Sequence, residues 1–131
     1  DFQDISAAKM YVVRIPVGYW ITGFDNHPGG DPDGWKMYAP GAINYLDRAI
    51  RDWALKHNVL VLISLYAAKG SQNGNDNSSP EDPGHTYWSQ YPENVQNTLD
   101  AVEWLAKRYN NDVAFLGIGL LNEPTGNKRK T

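Results

Sequence analysis

The sequence predicts an α/β domain organised on a parallel sheet, and three observations carry that expectation. Residues 59–65 and 115–121 are apolar runs of strand length with almost no polar position, the pattern of strands covered on both faces. Each is preceded by a segment whose apolar residues recur at helical period. The connections are lopsided. Segments 17–40 and 66–91 are long and polar, while only a few residues lead from each helix back into the sheet, fewer than the usual median of about 4–6.

Taken in order, residues 4–10, with Ile5, Ala7, Ala8 and Met10, read as the tail of a helix. A first strand follows at 11–16, stopped by Pro16, which cannot donate to a sheet ladder. The next segment carries the turn signals His27-Pro28-Gly29-Gly30 and Asp31-Pro32-Asp33-Gly34 and is loop. From Ala42, the residues Ile43, Leu46, Ile50, Trp53 and Ala54 share one helical face, and Asn58 suits a left-handed end. The strand at 59–65 leads into a second loop, too rich in Gly, Asn and Ser for regular structure. Pro92 opens a second helix with a predicted inner face of Val95, Leu99, Val102, Ala106 and Tyr109, closed by Asn110 and Asn111. The last strand ends in Asn122-Glu123-Pro124.

Strand, long loop, helix, strand, long loop, helix, strand is the order of parallel strands joined by crossovers. Three parallel strands alone leave two raw edges. A closed (β/α)8 TIM barrel needs about 250 residues, so the 131 residues are expected to be an interior slice of one. The start without Met is read the same way, as a piece of a longer chain.

Composition narrows the partners. A net charge of −3 gives no basic face for nucleic acid, and the one basic run, Lys128-Arg129-Lys130, is short. No apolar run approaches the ~20 residues of a membrane span. With no cysteine, and with His27, His57 and His85 far apart and without ligand spacing, neither a metal nor a cofactor is expected. The glycines of Gly117-Ile118-Gly119 lie inside a strand and lack the third member of a dinucleotide-binding loop.

Chemistry is expected at the carboxyl ends of the strands. Pro124 biases Glu123 away from the helical region and is expected to hold it extended at the lip of the sheet. Glu123 is either a functional carboxyl there or a charge capping a following helix. Arg14, expected at the end of the first strand, either orients such a carboxylate or forms an ordinary rim ion pair. Tyr19, Trp20, Phe24, Trp35, Tyr38, Tyr66, Tyr87, Trp88 and Tyr91 lie in the two loops or at their mouths. Beside Asn, Gln, Asp and Ser such rings suit a sugar, although each alone is equally a loop-packing residue.

Three motifs in this order make the resemblance specific: Arg14-Ile15-Pro16-Val17-Gly18-Tyr19-Trp20, then Gly70-Ser71-Gln72-Asn73-Gly74 with Asp76-Asn77-Ser78, then Leu120-Leu121-Asn122-Glu123-Pro124. Together they resemble glycoside hydrolase family 5, in its exo-β-1,3-glucanase branch. The resemblance implies that residues 1–131 are the N-terminal half of a catalytic barrel without its first strand. By position Glu123 is similar to the family's general acid/base, and Asn122 to the amide that bonds the sugar 2-hydroxyl. Arg14 matches the arginine bracing the nucleophile, and Asn77 a polar residue of the cleavage subsite. Tyr66, Tyr19 and Trp20 join them as substrate-binding positions. The nucleophile, a glutamate on the seventh strand, would lie beyond Thr131.

The implied activity is retaining hydrolysis of cell-wall glucan, foremost as a glucan exo-1,3-β-glucosidase. A β-1,4-glucanase or mannanase of the same family, or a non-catalytic glucan-binding protein, are the alternatives. The expected partner is a β-glucan, the expected state a monomer, and the expected location extracellular. One departure stands out: Ser64-Leu65-Tyr66-Ala67-Ala68-Lys69 replaces the family's Asp-Leu-His-Gly-Ala-Pro, so a tyrosine occupies a histidine position. Asn77-Ser78-Ser79 is also an N-glycosylation acceptor sequence, expected to be unoccupied if Asn77 lines the subsite.

Overall fold

The computed structural model describes residues 1–27 and 31–125. Helix α1 (Phe2–Ala7) is capped by Asp1, whose carboxylate accepts from the amides of Gln3 and Asp4. It leads into β1 (Val12–Gly18), then α2 (Ala42–Arg48), β2 (Leu60–Ala67), α3 (Pro92–Tyr109) and β3 (Phe115–Gly119). The three strands form one parallel sheet in the order β1-β2-β3, so α2 and α3 are the crossovers. Short 3-10 turns at Tyr19–Thr22, Gly34–Met37 and Asp76–Ser78 punctuate the long loops. Both loops leave from the carboxyl ends of their strands, as expected. The structure is the α/β architecture of part of a TIM barrel.

The core lies between the sheet and the two crossover helices. Val61, Ile63 and Leu65 of β2 are fully buried in one cluster with Leu46, Ile50 and Ala54 of the first crossover and Leu105 and Tyr109 of α3. Burying one such side chain contributes roughly 1.5–3 kcal/mol. Helix α2 continues through a π-helical stretch, Ala49–Ala54, which keeps Leu46, Ala49, Ile50 and Ala54 all turned inward. Asn58 closes this helix in the left-handed region at φ 55°, as its sequence position suggests. Helices α2 and α3 are locked by Asp47, whose carboxylate accepts from Arg108 Nε at 2.8 Å and Tyr109 Oη at 2.6 Å.

Four expectations need correction. Pro16 does not end β1, which runs on to Gly18. The amide of Leu60 donates to Tyr11 O, so odd-numbered peptide groups of β1 face β2 and the missing donor of Pro16 points to the other side, where the ladder does not need it. The strands are not covered equally: the described helices pack on one face, and on the other Leu60, Leu62 and Tyr66 stay partly exposed. The inner face of α3 is turned from the predicted stripe. Asn94, Asn97, Thr98, Ala101, Leu105 and Tyr109 are buried, whereas Leu99 is 57% exposed. Hydrogen bonds with the rim loops, from Asn94 Nδ2 to Tyr87 O, from Asn97 Nδ2 to Asp25 Oδ1 and from Trp88 Nε1 to Thr98 Oγ1, partner one polar atom of each of these side chains. Lastly, Glu123 is not extended: its φ is 46°.

Candidate active site

Alternation along β1 decides where its arginine goes. Val13 and Ile15 pack on the core while Val12, Arg14 and Pro16 lie on the opposite, exposed face. Arg14 sits within β1, four residues before its end, and its long side chain spans toward the rim. There its Nη2 donates to Asn122 Oδ1 at 2.8 Å, and its guanidinium lies 5.5 Å from the centre of the Tyr66 ring. Residues from all three strands thus converge.

The turn carrying Asn122 and Glu123 is built on a buried amide. Gln72 is fully buried; its Nε2 donates to the carbonyls of Tyr66 (2.6 Å) and Asn122 (2.9 Å), and its Oε1 accepts from the amide of Ala68. The amide of Asn122 donates to Leu65 O, that of Thr125 to Gln72 O, and Asn73 Nδ2 to Glu123 O. These bonds fold the chain back over Gln72 and hold Glu123 in the left-handed region against the pre-proline preference, a strain of about 1–2 kcal/mol. The Glu123 side chain is exposed. With Oδ1 of Asn122 engaged by Arg14, its Nδ2 is buried without a partner among the described residues.

The other candidates are placed apart from this cluster or bonded elsewhere. Asn77 lies in the Asp76–Ser78 turn and is exposed, while its neighbour Ser78 is buried against Ser71 Oγ (2.6 Å) and Asn73 Oδ1 (2.7 Å). Tyr19 is buried and meets Trp20 edge-on at 5.5 Å. Trp20 stacks flat on Tyr38 at 3.6 Å, and Tyr38 Oη bonds Ser79 Oγ at 2.7 Å, tying the first loop to the second. Burial pushes the Tyr19 hydroxyl far above the ordinary tyrosine range, with Tyr38 and nearby carboxylates adding to it, so it stays protonated.

Two features were missed. The motif Gly70-Ser71-Gln72-Asn73-Gly74 carries no local sign that the Gln72 amide is buried. Lys69 was noted only as a departure, yet it is 4% exposed and its Nζ donates to Asp25 Oδ2 at 2.5 Å and to His27 O at 2.8 Å. Asp25 is itself buried and accepts from Asn97 Nδ2 at 3.0 Å, so the pair clamps both loops to α3. A lysine directly after Ala67-Ala68 in an apolar stretch was the available signal.

A parallel α/β sheet with Arg, Tyr, Asn and Glu gathered at its carboxyl rim defines a segment of an α/β-barrel protein with a polar site at the strand ends. The chain belongs to glycosyl hydrolase family 5: the family's cellulase model matches residues 1–131. It is 41% identical over 131 residues to glucan 1,3-beta-glucosidase 2 of Wickerhamomyces anomalus, covering 96% of this chain and 27% of that protein. It is 43% identical over 127 residues to glucan 1,3-beta-glucosidase of Blumeria graminis, covering 95% and 26%. The chain therefore spans about a quarter of the length of these relatives. Its fold superposes on the crystal structure of rutinosidase from Aspergillus niger with a TM-score of 0.72 at 19% identity, over 98% of this chain and 34% of that one.

Proposed function

We propose that residues 1–131 are the N-terminal half, without the first strand, of the catalytic barrel of a retaining β-glycosidase that acts on β-1,3-glucan as an exo-glucosidase. One observation carries the reading: Arg14 holds the Asn122 amide at the strand-end rim directly beside an exposed carboxyl, Glu123. The similarity to two glucan 1,3-beta-glucosidases supports the substrate class. A working place at the cell wall, outside the cell, fits that substrate.

In this mechanism Asn122 Nδ2 bonds the 2-hydroxyl of the sugar being cleaved, with Arg14 and Tyr66 behind it. A carboxylate supplied by the remainder of the barrel attacks the anomeric carbon as the glycosidic bond breaks, and Glu123 gives its proton to the leaving oxygen. Glu123, now ionised, takes a proton from the water that hydrolyses the glycosyl-enzyme. Two carboxyl groups about 5–5.5 Å apart serve this chemistry.

A second reading, glucan binding without turnover, is favoured by Tyr66 in the position where the family resemblance implies histidine. One experiment separates the two. In the full-length protein, Glu123→Gln is expected to lower kcat on laminaribiose by about 10²–10⁴-fold while oligosaccharide binding persists. Wild-type protein that binds laminari-oligosaccharides and releases no glucose supports the second reading and sinks the first.

A further inference from the structure

Two adjacent side-chain amides in the second rim loop grip two adjacent carbonyls in the turn after β3. Gln72 Nε2 donates to Asn122 O at 2.9 Å, and Asn73 Nδ2 donates to Glu123 O at 3.3 Å. Those carbonyls belong to the two peptide groups that flank the Glu123 α-carbon. Each peptide group is planar, so holding both fixes the φ and ψ of Glu123 and with them the direction in which its side chain leaves the backbone. The conformation held is not the one its sequence favours. The φ of Glu123 is 46°, in the left-handed region, whereas a residue before proline prefers to be extended.

The Asn73 end of this grip is set within its own loop. Its Oδ1 accepts from the amide of Asn75 at 2.9 Å and from Ser78 Oγ at 2.7 Å. With the Ser78 proton directed there, Ser71 Oγ is left to donate to Ser78 Oγ at 2.6 Å, and it accepts in turn from the amide of Gly74 at 2.9 Å. Both serines are fully buried. Gly74 makes the loop this tight: its φ is 74°, and a Cβ there would come within 2.8 Å of the Gly84 backbone. Turning the Asn73 amide over would set its NH2 against two donors and its oxygen against the Glu123 carbonyl, so the network aims Nδ2 at Glu123.

We infer that Asn73 is a positioning residue for Glu123: by holding the Glu123 carbonyl it keeps the carboxyl directed at the leaving oxygen of the substrate. The role rests on the proposed function, in which Glu123 is the acid, and needs no contact between Asn73 and the substrate. Without the bond the turn relaxes toward the extended pre-proline conformation, and the carboxyl swings out of line.

The test separates delivery of the proton from any general loosening of the loop. In full-length protein, kcat/KM is measured on two substrates with the same sugar: phenyl β-glucoside, whose leaving oxygen must take a proton as the C–O bond breaks, and 2,4-dinitrophenyl β-glucoside, whose phenolate departs without one. Asn73→Ala is expected to lower kcat/KM on the phenyl glucoside by about tenfold or more and on the dinitrophenyl glucoside by less than about threefold, the pattern of a misplaced acid. Asn73→Asp keeps the acceptor for Asn75 and Ser78 but offers no N–H to Glu123 O, and is expected to show the same split. Glu123→Gln, measured alongside, is expected to show it more strongly. Equal losses on the two glucosides in Asn73→Asp, or no loss on either, overturn the positioning role while a split in Glu123→Gln leaves the proposed function standing. Wild-type protein that cleaves neither glucoside, or Glu123→Gln impaired equally on both, overturns the proposed function and the positioning role with it.

Discussion

Arg14 Nη2 donates to Asn122 Oδ1 at 2.8 Å, joining β1 to the turn after β3 across 108 positions of sequence. The bond does more than connect two strands. It fixes which way the amide faces, with Oδ1 toward the guanidinium and Nδ2 without a partner among the described residues.

Arg14→Lys keeps the charge but loses the planar fork, and the Asn122 amide is then free to turn. If Asn122 bonds the sugar 2-hydroxyl as proposed, kcat of the full-length protein on laminaribiose is expected to fall by about tenfold or more, with KM changing much less, since such a contact strengthens in the transition state. Asn122→Ala, which removes the donor itself, is expected to fall at least as far. Steady-state kinetics decide it: a loss confined to KM in either variant argues that the pair only binds.

Gln72 supports the same turn from beneath. Gln72→Met fits the buried volume but leaves the carbonyls of Tyr66 and Asn122 and the amide of Ala68 without their side-chain partner. Unsatisfied buried groups cost about 1–3 kcal/mol each, so a fall in stability of at least about 2 kcal/mol is expected from urea denaturation. A midpoint within error of wild type would mean that water replaces the amide.

What was legible in the sequence and what was not divides along the range of the interactions. The strands β2 and β3 were visible because burial writes itself into consecutive apolar residues, and Asn58 because a helix end is a local event. The stripe of α3 was misplaced because Asn94, Asn97 and Thr98 are buried by partners in the loops, namely Tyr87 O, Asp25 and Trp88 Nε1. Pro16 misled because residue type alone does not say which side of a strand its missing N–H faces. At the site, Arg14 was readable as a strand residue near the rim, though it lies four residues inside β1, while Tyr66 and Asn122 were singled out by the family resemblance. The bond from Gln72 to Asn122 and the clamp of Lys69 on Asp25 join groups 50 and 44 positions apart and leave no local pattern.

That clamp supplies a further prediction. Lys69→Met alone leaves the fully buried Asp25 carboxylate without its counter-charge, and a loss of about 3–5 kcal/mol is expected. Combining it with Asp25→Asn removes the orphaned charge and is expected to restore much of that loss, which a double-mutant cycle by chemical denaturation reads directly. A double variant no more stable than Lys69→Met refutes the charge-pair account and leaves the packing of the lysine stem as the cause.

Asp47 gives the fold a defined acid limit. The hydrogen bond from Arg108 holds its carboxyl below the ordinary value of 3.8; partial burial opposes this, and the bond from Tyr109 and the charges of Arg108 and Arg51 reinforce it. A carboxyl whose pKa is lower in the folded state releases its proton more readily there than in the unfolded chain, so folding is favoured wherever it is ionised. The contribution is therefore present in full above about pH 4 and is lost as pH falls from the unfolded value through the folded one. Asp47→Asn removes the charge-assisted bonds and is expected to cost about 1.5–3 kcal/mol at pH 7. The gap between variant and wild type should narrow as pH falls below the ordinary value of 3.8 and close only once pH lies below the depressed folded-state value, where the wild-type carboxyl is also neutral. Thermal melts of both proteins across that range test the assignment: a gap that stays constant from pH 7 to the acid limit would show that Asp47 acts through shape and not through charge.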